Sequence, residues 1–260
     1  MRNLLLFVCF LFTVTAYSQF TQVQKSAIVT GTTVLSKVIT LSPTTANNLV
    51  VVHTLIPAGV TVTSITDDKG NAYVVGSAVL NNNSSYRAWQ SYGVQTTGGT
   101  TSITVNFSAS SATVKATGAE EYSGGETTNA AIIDVRGSAS ATATSITSST
   151  ITPAAAGELI VCTGGVNASR TWTAGTGYTL YLDTNPNQLR AQYKLSGTTS
   201  EAPSMSISGA GARIFIIAQS YKAYTAPSTS IKTCNGLAKA SVKNVKGLAI
   251  ASVKSVNGLQ

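Results

Sequence analysis

Apolar and small polar residues alternate with a period of two through most of the chain, in short runs broken by Gly, Asn, Pro and Asp. Side chains two apart share one face of a strand, whereas a helix needs a repeat near 3.6, and residues 19–226 show no convincing helical period. Only 10% of residues are charged, and Ser, Thr, Ala, Gly and Val dominate, a composition suited to strands and turns. Asn48–Leu55 is a nearly continuous apolar run, as expected of a strand covered on both faces. Val62–Thr66 and Ala72–Val75 flank Asp67-Asp68-Lys69-Gly70-Asn71, which reads as a hairpin turn with the Lys69-Gly70-Asn71 corner supplying positive φ. Ser85–Val94, Ser102–Ser108, Thr113–Tyr122 and Ala131–Val135 continue the series. About 14 to 16 short strands at this spacing predict an all-β fold, a two-layer antiparallel β-sandwich.

The first 18 residues have a different character. Arg2 precedes the apolar run Leu4–Val14, and Ala16-Tyr17-Ser18 matches a leader-cleavage pattern, so a signal peptide over 1–18 is expected, with the mature chain starting at Gln19. The run is short for a transmembrane anchor, and no later segment is apolar enough for one. Cys9 lies inside the apolar run rather than after the cleavage site, which argues against a lipid-anchored start. Export, to the cell surface or beyond, follows as the expectation. Of the remaining cysteines, Cys162 closes the apolar run Leu159–Cys162 and reads as a buried small hydrophobe. Cys234 lies in the tail, where an intermolecular bridge stays open, but two distant cysteines make no disulfide framework.

The body, 19–226, contains two stretches that parallel each other, about 26–124 and 131–224. Pro43 precedes Leu49-Val50-Val51-Val52 by the interval that separates Pro153 from Leu159-Ile160-Val161-Cys162. Arg87-Ala88 matches Arg190-Ala191, and Glu121-Tyr122-Ser123 matches Ser220-Tyr221-Lys222. Duplicated sheet-forming units are expected, either packed as one jelly-roll-like sandwich or standing as two tandem immunoglobulin-like halves. The segment 227–260 is a clearer repeat of period eleven: Lys232, Lys243 and Lys254; Gly236, Gly247 and Gly258; Leu237, Leu248 and Leu259. Glycine in every unit argues against a helix, and short strands joined by Asn-Gly-type turns fit better. The formal net charge of +8 is concentrated here, for this tail holds five lysines and no acid. Such a tail can meet an anionic surface, and its lysines read first as solvating groups; Lys232, Lys243 and Lys254 are its candidate surface or assembly residues.

Catalytic chemistry finds little purchase. His53 is the only histidine, on an expected strand, with no nucleophile motif beside it, so it reads as structural. Glu120 and Glu121 are adjacent on a strand and point to opposite faces, so they cannot form a hydrolytic pair; Glu121 with Asp134, Asp183 or Glu158 stays open. The Asp67–Asn71 corner has oxygen ligands but no calcium-loop spacing. No metal site, cofactor motif or nucleic-acid module is expected. Trp172, Tyr178 and Tyr181 crowd a Gly/Thr-rich segment near Arg170, and these four are the candidate ligand-binding residues, since an exposed ring offers a flat face to a sugar. Trp89 reads as core.

The body, through Asn48-Leu49-Val50-Val51, Thr66–Tyr73 and Glu121-Tyr122-Ser123-Gly124, resembles exported bacterial β-sandwich segments of jelly-roll type that often lack an assigned activity. The tail, through Asn235-Gly236-Leu237-Ala238 and Ala251-Ser252-Val253-Lys254, is similar to short repeats of environmental bacterial and tailed-phage structural or fibre-like proteins. These motifs are turns and strand ends, and the resemblance carries over no catalytic residue. Three expectations result: an exported, non-enzymatic binding or adhesion protein recognising a glycan or cell-surface polymer; a self-assembling subunit of a fibre or surface layer; and a carbohydrate-active hydrolase.

Overall fold

The computed structural model describes residues 19–80, 85–111, 113, 115–181, 188–197 and 200–225, with two short tail strands at 244–245 and 248–249. The expected leader, Cys234, Lys232, Lys243 and Lys254 lie outside the described residues. The first strand series is β1 (Thr21–Lys25), β2 (Val29–Gly31), β3 (Ser36–Thr40), β4 (Leu49–Pro57), β5 (Val62–Asp67), β6 (Val79–Leu80), β7 (Tyr86–Val94), β8 (Ser102–Phe107) and β9 (Lys115–Ser123). A single helical turn, α1 (Asn129–Ile132), leads into the second: β10 (Ile133–Ala143), β11 (Ser145–Thr147), β12 (Leu159–Val166), β13 (Trp172–Ala174), β14 (Thr179–Tyr181), β15 (Leu189–Leu195), β16 (Ser204–Ile207) and β17 (Ala212–Tyr221). Among the described residues all pairings are antiparallel, and no sheet closes into a barrel.

Strand order repeats between the series. The larger sheets run β1-β9-β4-β7-β6, with β2 also on β9, and β10-β17-β12-β15-β14; the smaller run β3-β8-β5 and β11-β16-β13. In each series the first strand pairs the last, β3 or β11 pairs β8 or β16, and β4 or β12 pairs β7 or β15, as in a jelly roll, while the short strand β6 or β14 extends the larger sheet.

Alternation decides what each face meets. Val50, Val52 and Ile56 of β4 and Trp89 of β7 pack on Ile39, Ile65, Ile103, Val105 and Phe107 of the smaller sheet, forming the core of a first sandwich. Ile160, Cys162, Ile214 and Ile216 pack on Ile146, Trp172, Met205 and Ile207 in a second. The opposite faces of the two larger sheets meet each other through Leu49, Val51, Tyr92, Val94 and Tyr122 against Leu159, Val161 and Tyr221, and through Leu55 and Ala88 against Leu189, Phe215 and Ile217. Strands β4 and β12 are therefore buried on both sides, which accounts for their unbroken apolar runs. Two edge-to-face ring pairs, Tyr92 with Tyr221 and Tyr122 with Tyr193, each at 5.6 Å, exchange equivalent positions of the two series. The contact is thus self-complementary, like that of a two-fold dimer joined in one chain.

Polar residues interrupt this face at its centre. His53 on β4 has Nδ1 2.6 Å from Thr163 Oγ1 on β12. Its Nε2 faces Glu120 Oε1 on β9, and the Tyr122 hydroxyl donates to the same carboxylate. Burial pushes the Glu120 carboxyl up while the imidazole opposes the shift.

The expected strand Ala72–Val75 does not form. Only Val74 makes a bridge, to Tyr92, because Asp67 draws the backbone into a side-chain network instead: its carboxylate accepts from the Lys69 and Asn71 amides, the Asn71 side chain, the Tyr73 hydroxyl and Thr100 Oγ1. These donors hold the carboxyl below its ordinary range against partial burial. Gly70 has φ +76°, as a turn there requires.

In the tail, β18 (Asn244–Val245) and β19 (Leu248–Ala249) pair antiparallel with two residues between them, a hairpin within one eleven-residue repeat.

Candidate functional site

In the second sandwich the chain leaves β13 through a turn in which the Tyr178 amide donates to the Gly175 carbonyl at 3.0 Å, with Gly177 at φ +78°. The buried Gln192 of β15 fixes this turn: its Oε1 accepts from the Gly175 amide and its Nε2 donates to the Ser204 carbonyl, both at 2.9 Å. Tyr178 therefore stands at the mouth of the sandwich. Its hydroxyl donates to Glu201 Oε2 at 3.3 Å, and Lys194 Nζ approaches the same oxygen at 2.7 Å while lying 5.2 Å from the centre of the Tyr178 ring. Backbone bonds between Glu201 and Ile151 in both directions, each 2.8 Å, hold the carboxylate in place. Burial and the neighbouring anionic groups push the Tyr178 phenol far up, so it remains a donor at any physiological pH.

These side chains line an open depression of about 440 Å³, with Thr176, Ser200, Ala202 and Ser204 completing it. Its volume suits a small polar ligand. The lining offers one ring edge, hydroxyls, a cation and a carboxylate, the mixture that hydrogen-bonds a polyhydroxylated ligand. At the corresponding corner of the first sandwich Tyr73 takes the place of Tyr178, and its hydroxyl donates to Asp67 and accepts from Gln95, in a network that also joins Asn71 and Thr100.

The four expected ligand residues do not converge. Trp172 lies on β13 opposite Ile207 and is 5% exposed, in the second core. It is a strand residue rather than a loop residue, because β16 needs a partner and the sandwich needs a large apolar group there. Tyr178 lines the depression. Arg170 lies near Ser208 and Gly209, at the end of β16 remote from Glu201, and its Nη1 donates to the Ser169 carbonyl. Only the backbone of Tyr181 is described, opposite Ala191. Lys194, Glu201 and Gln192 were not singled out from the sequence; the signal available was the alignment of Tyr178 with Tyr73 between the two series.

Of the acids, Glu121 binds Gln24, the Thr45 amide and Asn48. It does not meet Asp134 or Glu158, which instead contact each other, and Asp183 lies outside the described residues. Burial first, and then the neighbouring Asp134 carboxyl, push Glu158 up to about 7. Among the described residues no group of three His, Cys, Asp or Glu side chains is placed to hold a metal ion, and no helix is long and apolar enough to cross a membrane. No protein-family model, curated protein or solved structure matches this chain.

Proposed function

We propose that this chain is an exported, non-enzymatic binding or adhesion protein whose second sandwich takes a glycan or the polar units of a cell-surface polymer. The observation that carries the reading is the open polar depression at Tyr178, Lys194 and Glu201. A saccharide hydroxyl placed there can accept from Lys194 and donate to Glu201, exchanging protein–water bonds for bonds to fixed groups. Export rests on the N-terminal leader pattern and on the resemblance to exported bacterial sandwich segments. The test is binding to an array of bacterial and environmental glycans. Tyr178→Ala and Glu201→Gln are expected to reduce binding to a recognised glycan at least about tenfold while leaving the melting transition in place. Equal binding by the wild type and both variants would overturn the site.

A second reading, assembly into a fibre or surface layer, is favoured by the open edge of the first sandwich. Among the described strands β3 pairs on one side only, with β8, and Val38 within it and Leu35 just before it are 51% and 62% exposed. Sedimentation that shows polymers abolished by Val38→Lys would favour this reading over a monomeric binder.

A further inference from the structure

The polar chain between the two sandwiches holds the parts of an acyl-transfer centre. Thr163 Oγ1 is a hydroxyl with an imidazole nitrogen 2.6 Å away, and the far nitrogen of that imidazole faces Glu120. This is the order nucleophile, base, orienting acid. An acyl group is already in place: the Thr163 hydroxyl donates to the Gln90 side-chain oxygen at 3.1 Å, so the carboxamide carbon is one bond from the contact. The Gln90 nitrogen is held by the Val161 carbonyl at 3.1 Å and the Tyr221 hydroxyl at 3.3 Å, which orient the carboxamide. His53, Gln90, Glu120 and Thr163 are all fully buried, so no external substrate reaches the array. Among the described residues the acyl group that Thr163 meets is the Gln90 carboxamide.

We propose that Thr163 and Gln90 react with each other to form an intramolecular ester that joins the two sandwiches covalently. For reaction the Thr163 hydroxyl turns from Gln90 Oε1 to His53; with the proton of the Glu120–His53 contact on Nε2, Nδ1 accepts that hydroxyl proton as Oγ1 attacks the Gln90 Cδ. The tetrahedral intermediate carries its negative charge on Oε1. His53 then returns the proton to the Gln90 nitrogen, the Cδ–Nε2 bond breaks, and ammonia leaves as the carbonyl re-forms. One O–C bond replaces one C–N bond, no electron is transferred and no co-reactant is needed. Ester formation from an amide is unfavourable between free molecules. Here the fixed approach supplies the effective concentration of an intramolecular reaction, loss of ammonia to solvent draws it forward, and exclusion of water protects the product. Glu120 acts as a positioning residue, holding the imidazole so that Nδ1 points at Oγ1.

The test is peptide mass mapping of the purified full-length protein, and it is independent of glycan binding. Trypsin places Gln90 in peptide 88–115 and Thr163 in peptide 137–170. The expected product is one species containing both peptides, lighter than their sum by one ammonia, about 17 Da, and separated by hydroxylamine. Thr163→Val and Gln90→Ala are expected to release the two peptides at their separate masses. His53→Ala is expected to do the same while retaining the sheet signature in circular dichroism. Glu120→Gln is expected to slow appearance of the joined species after refolding by about tenfold or more, a rate that a purely structural role would not change. Recovery of both peptides unjoined and at full mass from folded wild-type protein would overturn the proposal.

Discussion

At the scale of single residues, burial rather than residue type separates the groups that bind from the groups that hold the fold. Trp172 looked like a sugar platform in the sequence, yet it fills the second core beside Met205 and Ile160. Trp172→Ala is therefore expected to cost about 3–5 kcal/mol of stability, read from denaturant midpoints, rather than to remove a ligand contact selectively. Glu158 gives a pH signature. Its folded pKa of about 7 lies above its ordinary value of 4.5, so the folded state holds the extra proton in that interval. The sign follows: this contribution is fully present below about pH 4.5 and is lost as pH rises through about 7, with a slope of at most about 1.4 kcal/mol per pH unit. Denaturation curves between pH 4.5 and 8 are expected to show this decline in the wild type and a flatter profile in Glu158→Gln.

At the scale of elements, strands were legible because their signal is local. The runs around Leu49 and Leu159 gave doubly covered strands, and the placement of Glu120 and Glu121 on opposite faces followed from alternation alone. Ala72–Val75 misled for the converse reason. Its pattern suits a strand, but Asp67 and Asn71 reach across to Thr97 and Thr100 and bind the corner by side chains. The depression at Tyr178 was legible only in that one residue. Lys194 and Glu201 come from β15 and from the segment before β16, and nothing local says that these segments meet. Close packing also explains glycines that the sequence presents merely as breaks. A Cβ on Gly165 would lie 2.1 Å from the Phe215 ring, at the contact between the sandwiches. Gly165→Ala is expected to destabilise by about 1–3 kcal/mol in equilibrium unfolding, since that ring sits among fully buried neighbours and has little room to retreat.

At the scale of the whole body, the two sandwiches share an apolar face and are expected to unfold as one cooperative unit. The chain has two tryptophans: Trp89 lies in the first core and Trp172 in the second. Fluorescence-detected unfolding of Trp89→Phe and of Trp172→Phe, each reporting the sandwich that keeps its ring, is expected to show the far-ultraviolet dichroism of the same variant following the same curve. The functional consequence of the repeated plan lies in its asymmetry. Both series bring a tyrosine to the same corner, but in the first its hydroxyl is bound to Asp67 and Gln95, and in the second to Glu201 beside Lys194. The most direct measurement is an NMR titration of the isotope-labelled protein with a glycan selected from the array. The expected result is saturable shifts of the Tyr178, Lys194 and Glu201 amides, with Asn71, Tyr73 and Thr100 unmoved. Shifts confined to other residues, or none at a concentration that saturates array binding, would contradict it.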